Sequence, residues 1–204
     1  MMSPAVYRFA KRTLYVSVAL AAVAVLLPLF LVIALAVWLE DPGAPVIFRQ
    51  PRCGFKGRTF QLYKFRTMVR DADALKEDLR ARSTVAWPDF RLQDDPRVTR
   101  LGRWLRRTSL DELPQFLNVL LGDMSLVGPR PTSFLAETYE PWQMARLEFK
   151  PGITGPWQVL GRNSMDFGDR CRLEIEFFTQ RSLRAELSLL PATVGCVLKR
   201  TGVA

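Results

Sequence analysis

Histidine is absent from the 204-residue chain, which removes the side chain most often used for proton transfer near neutral pH. Neither a Ser-His-Asp nor a Cys-His arrangement can be built, and zinc held by histidine is excluded. Any acid, base or anionic nucleophile must come mainly from carboxylates, with Lys, Tyr and Cys as weaker candidates. Cysteine is scarce as well: Cys53, Cys171 and Cys196 are far apart, odd in number and form no C-x-x-C pair. Neither a disulfide framework nor a zinc ribbon is suggested, and a reducing cytoplasmic setting fits. Acidic residues are outnumbered, 20 against 29 basic ones, for a formal charge of +9. That charge attracts polyanions, but nucleic acid, anionic lipid headgroups and a pyrophosphate substrate all satisfy it. The length allows one compact domain plus a membrane segment.

What the chain does have is a long apolar run. From Leu14 to Leu39 there is no charged residue, a stretch longer than the roughly 20 residues a helix needs to cross the hydrocarbon core. It is also too long for a typical cleaved signal, so it reads as a retained membrane element. Pro28 removes a helical hydrogen bond near the middle and predicts a break at Leu27 and Pro28. A kinked spanning helix and a re-entrant hairpin both accommodate that break. Arg8, Lys11 and Arg12 precede the run, and Arg49, Arg52, Lys56, Arg58, Lys64, Arg66 and Arg70 follow it. Basic residues on both flanks place both ends in the cytoplasm, which a hairpin satisfies.

Beyond the acidic Glu40-Asp41 and the turn-forming Pro42-Gly43, Val46 to Phe48 and Thr59 to Tyr63 read as two strands of a small β-hairpin, with Pro51 to Gly57 as the loop. Asp71 to Arg82 has the composition of an exposed helix. Thr99 to Arg107 carries Leu101, Trp104 and Leu105 at helical spacing among arginines, an amphipathic basic helix suited to anionic headgroups. Leu183, Leu187, Leu190, Val194 and Val197 recur at helical intervals around Pro191, and pack either on the membrane or on the core.

The densest constellation runs from Ser109 to Pro131 as SLDELPQFLNVLLGDMSLVGPRP. Pro114 suits the first turn of a helix whose apolar face is Phe116, Leu117 and Leu120, and Gly122 is its natural stop. Asp111 and Glu112 then sit at the helix N-terminus, where ionised carboxylates and bound phosphates are both favoured. Adjacent helical positions diverge by about 100°, so the two acids do different jobs. The same residues match a capping box, Ser109-x-x-Glu112, in which Glu112 merely bonds the backbone. Local physics leaves the two readings open. Arg130, clamped between Pro129 and Pro131, offers a guanidinium able to grip phosphate oxygens in a bidentate way. In YKFRTM, alternation puts Lys64 and Arg66 on one face of a strand, as a phosphate-binding edge or a solvated one. KPGITGPWQV, followed by Gly161, Arg162 and Asn163, reads as an ordered loop with little regular structure. Gly155, Gln158 and Arg162 are its candidates for contact with a nucleotide sugar, although its glycines lack P-loop spacing.

Taken together, YKFRTM, SLDELPQFLNVLLGDMSLVGPRP and KPGITGPWQVLGRN resemble the signature of the bacterial sugar transferases, the small monotopic phosphoglycosyl transferases, and the likeness extends from Tyr7 to Val203. The resemblance implies that Asp111 is the nucleophile that attacks the β-phosphorus of a UDP-sugar, releases UMP and holds a covalent phosphosugar, which undecaprenyl (polyprenyl) phosphate then takes. It makes Glu112 the second member of the dyad, either managing a proton or charge or helping to place Mg²⁺ with Asp111, and makes Lys64 and Arg130 phosphate contacts. It also implies a fold that is α+β and mainly helical. Residues 1–40 form a re-entrant membrane helix broken near Pro28, and 41–204 form a cytoplasmic catalytic domain with a small β-hairpin and membrane-surface helices. The expected setting is the bacterial inner membrane, with cytoplasmic-leaflet lipids as partners, no nucleic acid, and a homodimer as an open option. Two positions depart from the usual pattern: Leu27-Pro28 stands where Ser-Pro is common at the break, and Tyr15 where an acidic residue is common. Asp166 to Gln180 follows the pattern only loosely. A membrane-tethered basic protein that binds polyanions without catalysis is the competing reading.

Overall fold

The computed structural model describes residues 4–79, 92, 94–160, 165–180 and 182–198. It is mainly helical with two small sheets. A single long helix, α1 (Pro4–Glu40), opens the chain and includes Leu27 and Pro28, so the proline lies within the helix and not between two helices. The hairpin follows: β1 (Ile47–Cys53) pairs antiparallel with β2 (Thr59–Phe65), from Ile47 opposite Phe65 to Cys53 opposite Thr59. β1 runs further than the sequence suggests because Pro51 is accommodated in it, opposite Gln61. An edge strand tolerates a residue without an N–H. Then come α2 (Ala74–Leu79), α3 (Arg100–Arg107), α4 (Gln115–Leu121), β3 (Ser125–Val127), β4 (Gly152–Thr154), α5 (Pro156–Leu160), α6 (Phe167–Thr179) and α7 (Leu183–Leu198). The exposed helix expected over 71–82 is the shorter α2; residues 80–82 lie outside those described.

Local chemistry explains the element ends. The Thr99 hydroxyl accepts from the Gly102 N–H at 2.9 Å and caps α3. Gly122 takes φ 96° and closes α4, donating to the Asn118 and Val119 carbonyls. The stretch expected to be an irregular loop after Lys150 instead forms β4 and α5, because β4 pairs in parallel with β3, Ser125 opposite Gly152 and Val127 opposite Thr154. Such a partner, distant in sequence, leaves no local trace.

One residue fixes α4 against the hairpin. Asn118 is wholly buried; its Oδ1 accepts from the Tyr63 N–H at 3.0 Å and its Nδ2 donates to the Gln61 carbonyl at 2.7 Å. The free edge of β2 is thereby satisfied and the start of α4 is drawn alongside Lys64.

α1 packs by its ends. Tyr15 and Ala19 join the core around Leu62, Val119, Met124 and Phe178; Ile33 and Val37 join a second cluster with Phe65 and Leu105. Between Ala19 and Ile33 no residue is buried, and Val25, Leu31 and Val32 are 77%, 62% and 65% exposed. The helix is long and apolar enough to cross a membrane. An apolar surface of this extent calls for lipid or another apolar partner.

Candidate active site

Three segments converge beside β2. The strand supplies Lys64, the tight 3₁₀ turn Leu110–Glu112 supplies two carboxylates, and the loop after β3 supplies Arg130. The turn is entered through Ser109, which adopts φ 56° and ψ 16°. A left-handed serine is uncommon, and such strain collects where geometry is imposed by the surroundings.

Ser109 makes no side-chain cap. The Glu112 carboxylate turns instead toward cations: Oε1 accepts from Lys64 Nζ at 2.8 Å and from Arg130 Nη2 at 2.6 Å, and Oε2 accepts from Arg130 Nη1 at 3.2 Å. The capping-box alternative is therefore not what this chain adopts. Arg130 makes the bidentate grip its geometry allows, but on a carboxylate of the chain itself.

Asp111 points differently. It is 6% exposed, and its carboxylate lies 3.9 Å from Lys64 Nζ. Among the described residues it accepts no hydrogen bond. The electrostatics separate the pair accordingly. Burial raises the Asp111 carboxyl above the ordinary aspartate range, opposed in part by Lys64. Burial acts on Glu112 in the same direction, yet Arg130 and Lys64 together hold its carboxyl well below the ordinary glutamate range. One acid is locked as a counter-ion, and the other is left available.

Arg66, expected beside Lys64, is placed elsewhere. β2 ends at Phe65, so the alternation stops. The Arg66 guanidinium donates to the carbonyls of Pro45 (2.9 Å), Val37 (3.0 Å) and Asp41 (3.0 Å) and ties the end of α1 to the domain. Gly155 serves close packing of the chain on itself: a Cβ there would lie 2.4 Å from the Gly128 carbonyl oxygen. Behind it, a Cβ at Gly152 would lie 2.1 Å from the Gly128 nitrogen. Gln158 is 6% exposed, and its Nε2 donates to the Ile153 carbonyl at 2.7 Å. Arg162 lies outside the described residues.

Other groups near the site carry no signal in the sequence. Arg106, one of the arginines of the amphipathic basic helix, turns inward and donates from Nε to Thr67 Oγ1 at 2.9 Å. Burial lowers its pKa, and the Asp111 charge acts against that shift. Arg146 and Glu174, distant in the chain, form a buried ion pair behind Arg130.

Among the described residues no three carboxylate or thiolate groups gather as a metal cage. The carboxylate oxygens of Asp111 and Glu112 are oxygen donors of the kind that Mg²⁺ would take if substrate phosphates completed its shell.

The chain matches the family described as bacterial sugar transferase over residues 6–200. It is 46% identical over 166 residues to the galactosyl transferase CpsE of Streptococcus agalactiae, covering 80% of this chain and 37% of that protein. It is 40% identical over 200 residues to the undecaprenyl-phosphate galactose phosphotransferase of Salmonella typhimurium, covering 96% of this chain and 42% of that one. With the exopolysaccharide production protein ExoY of Rhizobium meliloti the identity is 38% over 198 residues, 95% of this chain and 87% of the relative. The chain thus spans under half the length of the first two relatives and most of the third.

Proposed function

The chain belongs to the bacterial sugar transferase family, and on that footing we propose that it moves a sugar 1-phosphate from a UDP-sugar to undecaprenyl or another polyprenyl phosphate. The observation that carries the mechanism is the division of labour in the dyad. Asp111 is buried, 3.9 Å from a cation and without a hydrogen bond among the described residues, while Glu112 is engaged by both Lys64 and Arg130. In the first step an Asp111 carboxylate oxygen bonds to the β-phosphorus. The bond from that phosphorus to the bridging oxygen breaks, and UMP leaves with the electron pair. In the second step an oxygen of the lipid phosphate attacks the same phosphorus, forms the lipid diphosphate sugar and returns Asp111 as a carboxylate. No histidine is needed, since an ionised carboxylate requires no base.

Lys64 and Arg130 would bind the phosphoryl oxygens by exchanging part of their contact with Glu112 for the substrate. Glu112, held ionised, keeps both cations in place and does not act as an acid. Mg²⁺, held by Asp111 and Glu112, would neutralise charge on the phosphates.

Membrane attachment through α1 is part of the same proposal, with residues 41–204 as the catalytic part at the cytoplasmic face of the inner membrane. Re-entrant topology is supported by where α1 is held. Arg12 donates to the Val119 and Leu120 carbonyls, Tyr15 donates to Glu186 at 2.7 Å, and near the other end Val37 and Asp41 are held by Arg66. Both ends lie against one body, whereas a straight spanning helix would separate them by the bilayer. Lipids of that leaflet would contact Trp104, 46% exposed on α3.

The test is release of UMP from a panel of UDP-sugars, UDP-galactose and UDP-glucose first, with polyprenyl phosphate and Mg²⁺, together with mass detection of a phosphosugar on Asp111. An Asp111→Asn protein with undiminished turnover would overturn the mechanism. A tether that binds polyanions by charge alone gives no reason for a buried aspartate that accepts no hydrogen bond among the described residues.

A further inference from the structure

Arg130 sits in an unusual stretch of backbone. Its neighbours Pro129 and Pro131 have no N–H to offer, and strand-like hydrogen bonds hold the loop at its flanks, where the Pro129 carbonyl accepts from the Gly152 N–H at 2.9 Å and the Thr132 carbonyl from the Cys53 N–H at 3.0 Å. Its own two main-chain groups are instead held by the two members of one ion pair. The Arg130 N–H donates to Glu174 Oε1 at 3.2 Å, and the Arg130 carbonyl accepts from Arg146 Nη2. Arg146 Nε donates in turn to Glu174 Oε2. Glu174 is 0% exposed and Arg146 2%.

The surroundings keep the pair in register. Arg146 Nη1 donates to the Tyr139 hydroxyl at 3.4 Å, and that hydroxyl shares a 2.6 Å hydrogen bond with Thr132, two residues beyond Arg130. Glu174 comes from α6, whose start is capped by Asp166 accepting from the Asp169 N–H at 2.7 Å. Arg146 comes from the 3₁₀ segment Gln143–Glu148. Two elements far apart in the chain therefore meet at one peptide unit on either side of Arg130.

We propose that the Arg146–Glu174 pair is a positioning device for the Arg130 guanidinium, and through it for Glu112 and Lys64. The inference rests on the phosphosugar-transfer reading and adds two residues that do not touch the reacting atoms. A buried pair of this kind is a weak source of stability, since apolar or neutral replacements of both partners are often tolerated. Holding the backbone of a residue that must grip phosphate is a use that tolerates no such replacement. Side chains aimed at a transferring phosphoryl group lose rate steeply when displaced by fractions of an ångström.

The experiment is a cycle built on the double variant Arg146→Met/Glu174→Gln, which removes both charges together and so leaves no lone buried ion. It is compared with Arg130→Lys and with the triple variant, using full-length protein in lipid nanodiscs. The expected result is a double variant that melts close to the wild type but releases UMP on the order of tenfold to a hundredfold more slowly. Its KM for the lipid acceptor stays unchanged, and it loses nothing further when Arg130 is already lysine. Independent, multiplying losses, or a folded double variant with the wild-type rate, would overturn the proposal. Amide hydrogen exchange over residues 125–132 supplies a readout that needs no turnover: protection at the Arg130 amide is expected to fall in the double variant, and unchanged protection counts against the device. Should the wild type release no UMP from any UDP-sugar, the functional reading fails, and the exchange measurement still decides whether the pair holds the loop.

Discussion

Two carboxylates, each approached by a cation from another part of the chain, show how differently the same chemistry can be used. Glu186 on α7 is 2% exposed and is saturated: Lys11 lies 2.7 Å away, Tyr15 donates at 2.7 Å, and Tyr7 donates as well. Its effect is to bind the first turns of α1 to the domain. Glu112 is equally well supplied, by Lys64 and Arg130, but beside it Asp111 is buried without a hydrogen bond among the described residues. A satisfied carboxylate holds structure together. One held without a hydrogen bond beside cations that are already engaged is what the proposed nucleophile requires.

The largest expected effect separates the two regions most sharply. Asp111→Asn should reduce turnover by at least about a thousandfold, as removal of a covalent nucleophile does. Its thermal midpoint should match or exceed that of the wild type, because burial penalises the charge being removed. A loss of both activity and stability would place Asp111 with Glu186 on the structural side. Glu186→Ala should show the reverse, a destabilisation of about 3–5 kcal/mol from leaving Lys11 without its buried partner, read by denaturant unfolding in detergent, with the residual folded protein still releasing UMP.

A smaller effect is expected for Glu112→Gln, a fall in kcat/KM of roughly tenfold to a hundredfold, since the cations remain but lose their common anchor. Activity that instead rose at high pH in this variant would indicate proton transfer by Glu112. The most subtle comparison is with pH. Asp111 must be ionised to attack, and its pKa lies above the ordinary 3.8; the acid limb of kcat/KM should therefore fall at a higher pH than for a free aspartate. The stability terms have opposite signs. The raised Asp111 value makes its contribution decline as pH rises from the ordinary value through the folded one, whereas Glu112 contributes fully above the ordinary 4.5 and loses that contribution as pH falls through its depressed value. Unfolding free energies of the two single variants against pH should display these slopes separately. Labelling of cysteines placed at Arg8 and Arg58 with an impermeant reagent tests the anchor: equal protection is expected of a re-entrant α1, and unequal protection of a spanning one.

Much of this was legible in the sequence where the signal is local. Pro114, the apolar face through Leu120 and the stop at Gly122 outline α4, and Thr99 marks the start of α3. The two acids diverge as adjacent turn positions must. What was not legible depends on partners distant in the chain. Ser109-x-x-Glu112 spells a capping box, but Lys64 and Arg130 outbid the backbone for Glu112. Arg66 shares a two-residue period with Lys64, yet the strand stops one residue short of it and three carbonyls near the end of α1 claim its guanidinium. Lys150 to Val159 looks irregular because only β3 makes a strand of Gly152 to Thr154. No spacing rule links Arg146 to Glu174.

The crossing of Gly128 and Gly152 behind the Arg130 loop has a practical consequence. A methyl group at either position would stand 2.1 Å from main-chain atoms of the other segment, a gap that no rotamer change can widen. A mutational survey of this protein should return losses for every substitution at these two positions, whichever sugar is assayed. Attempts to retune donor preference or heat resistance have to work around that fixed pivot and seek their variation elsewhere.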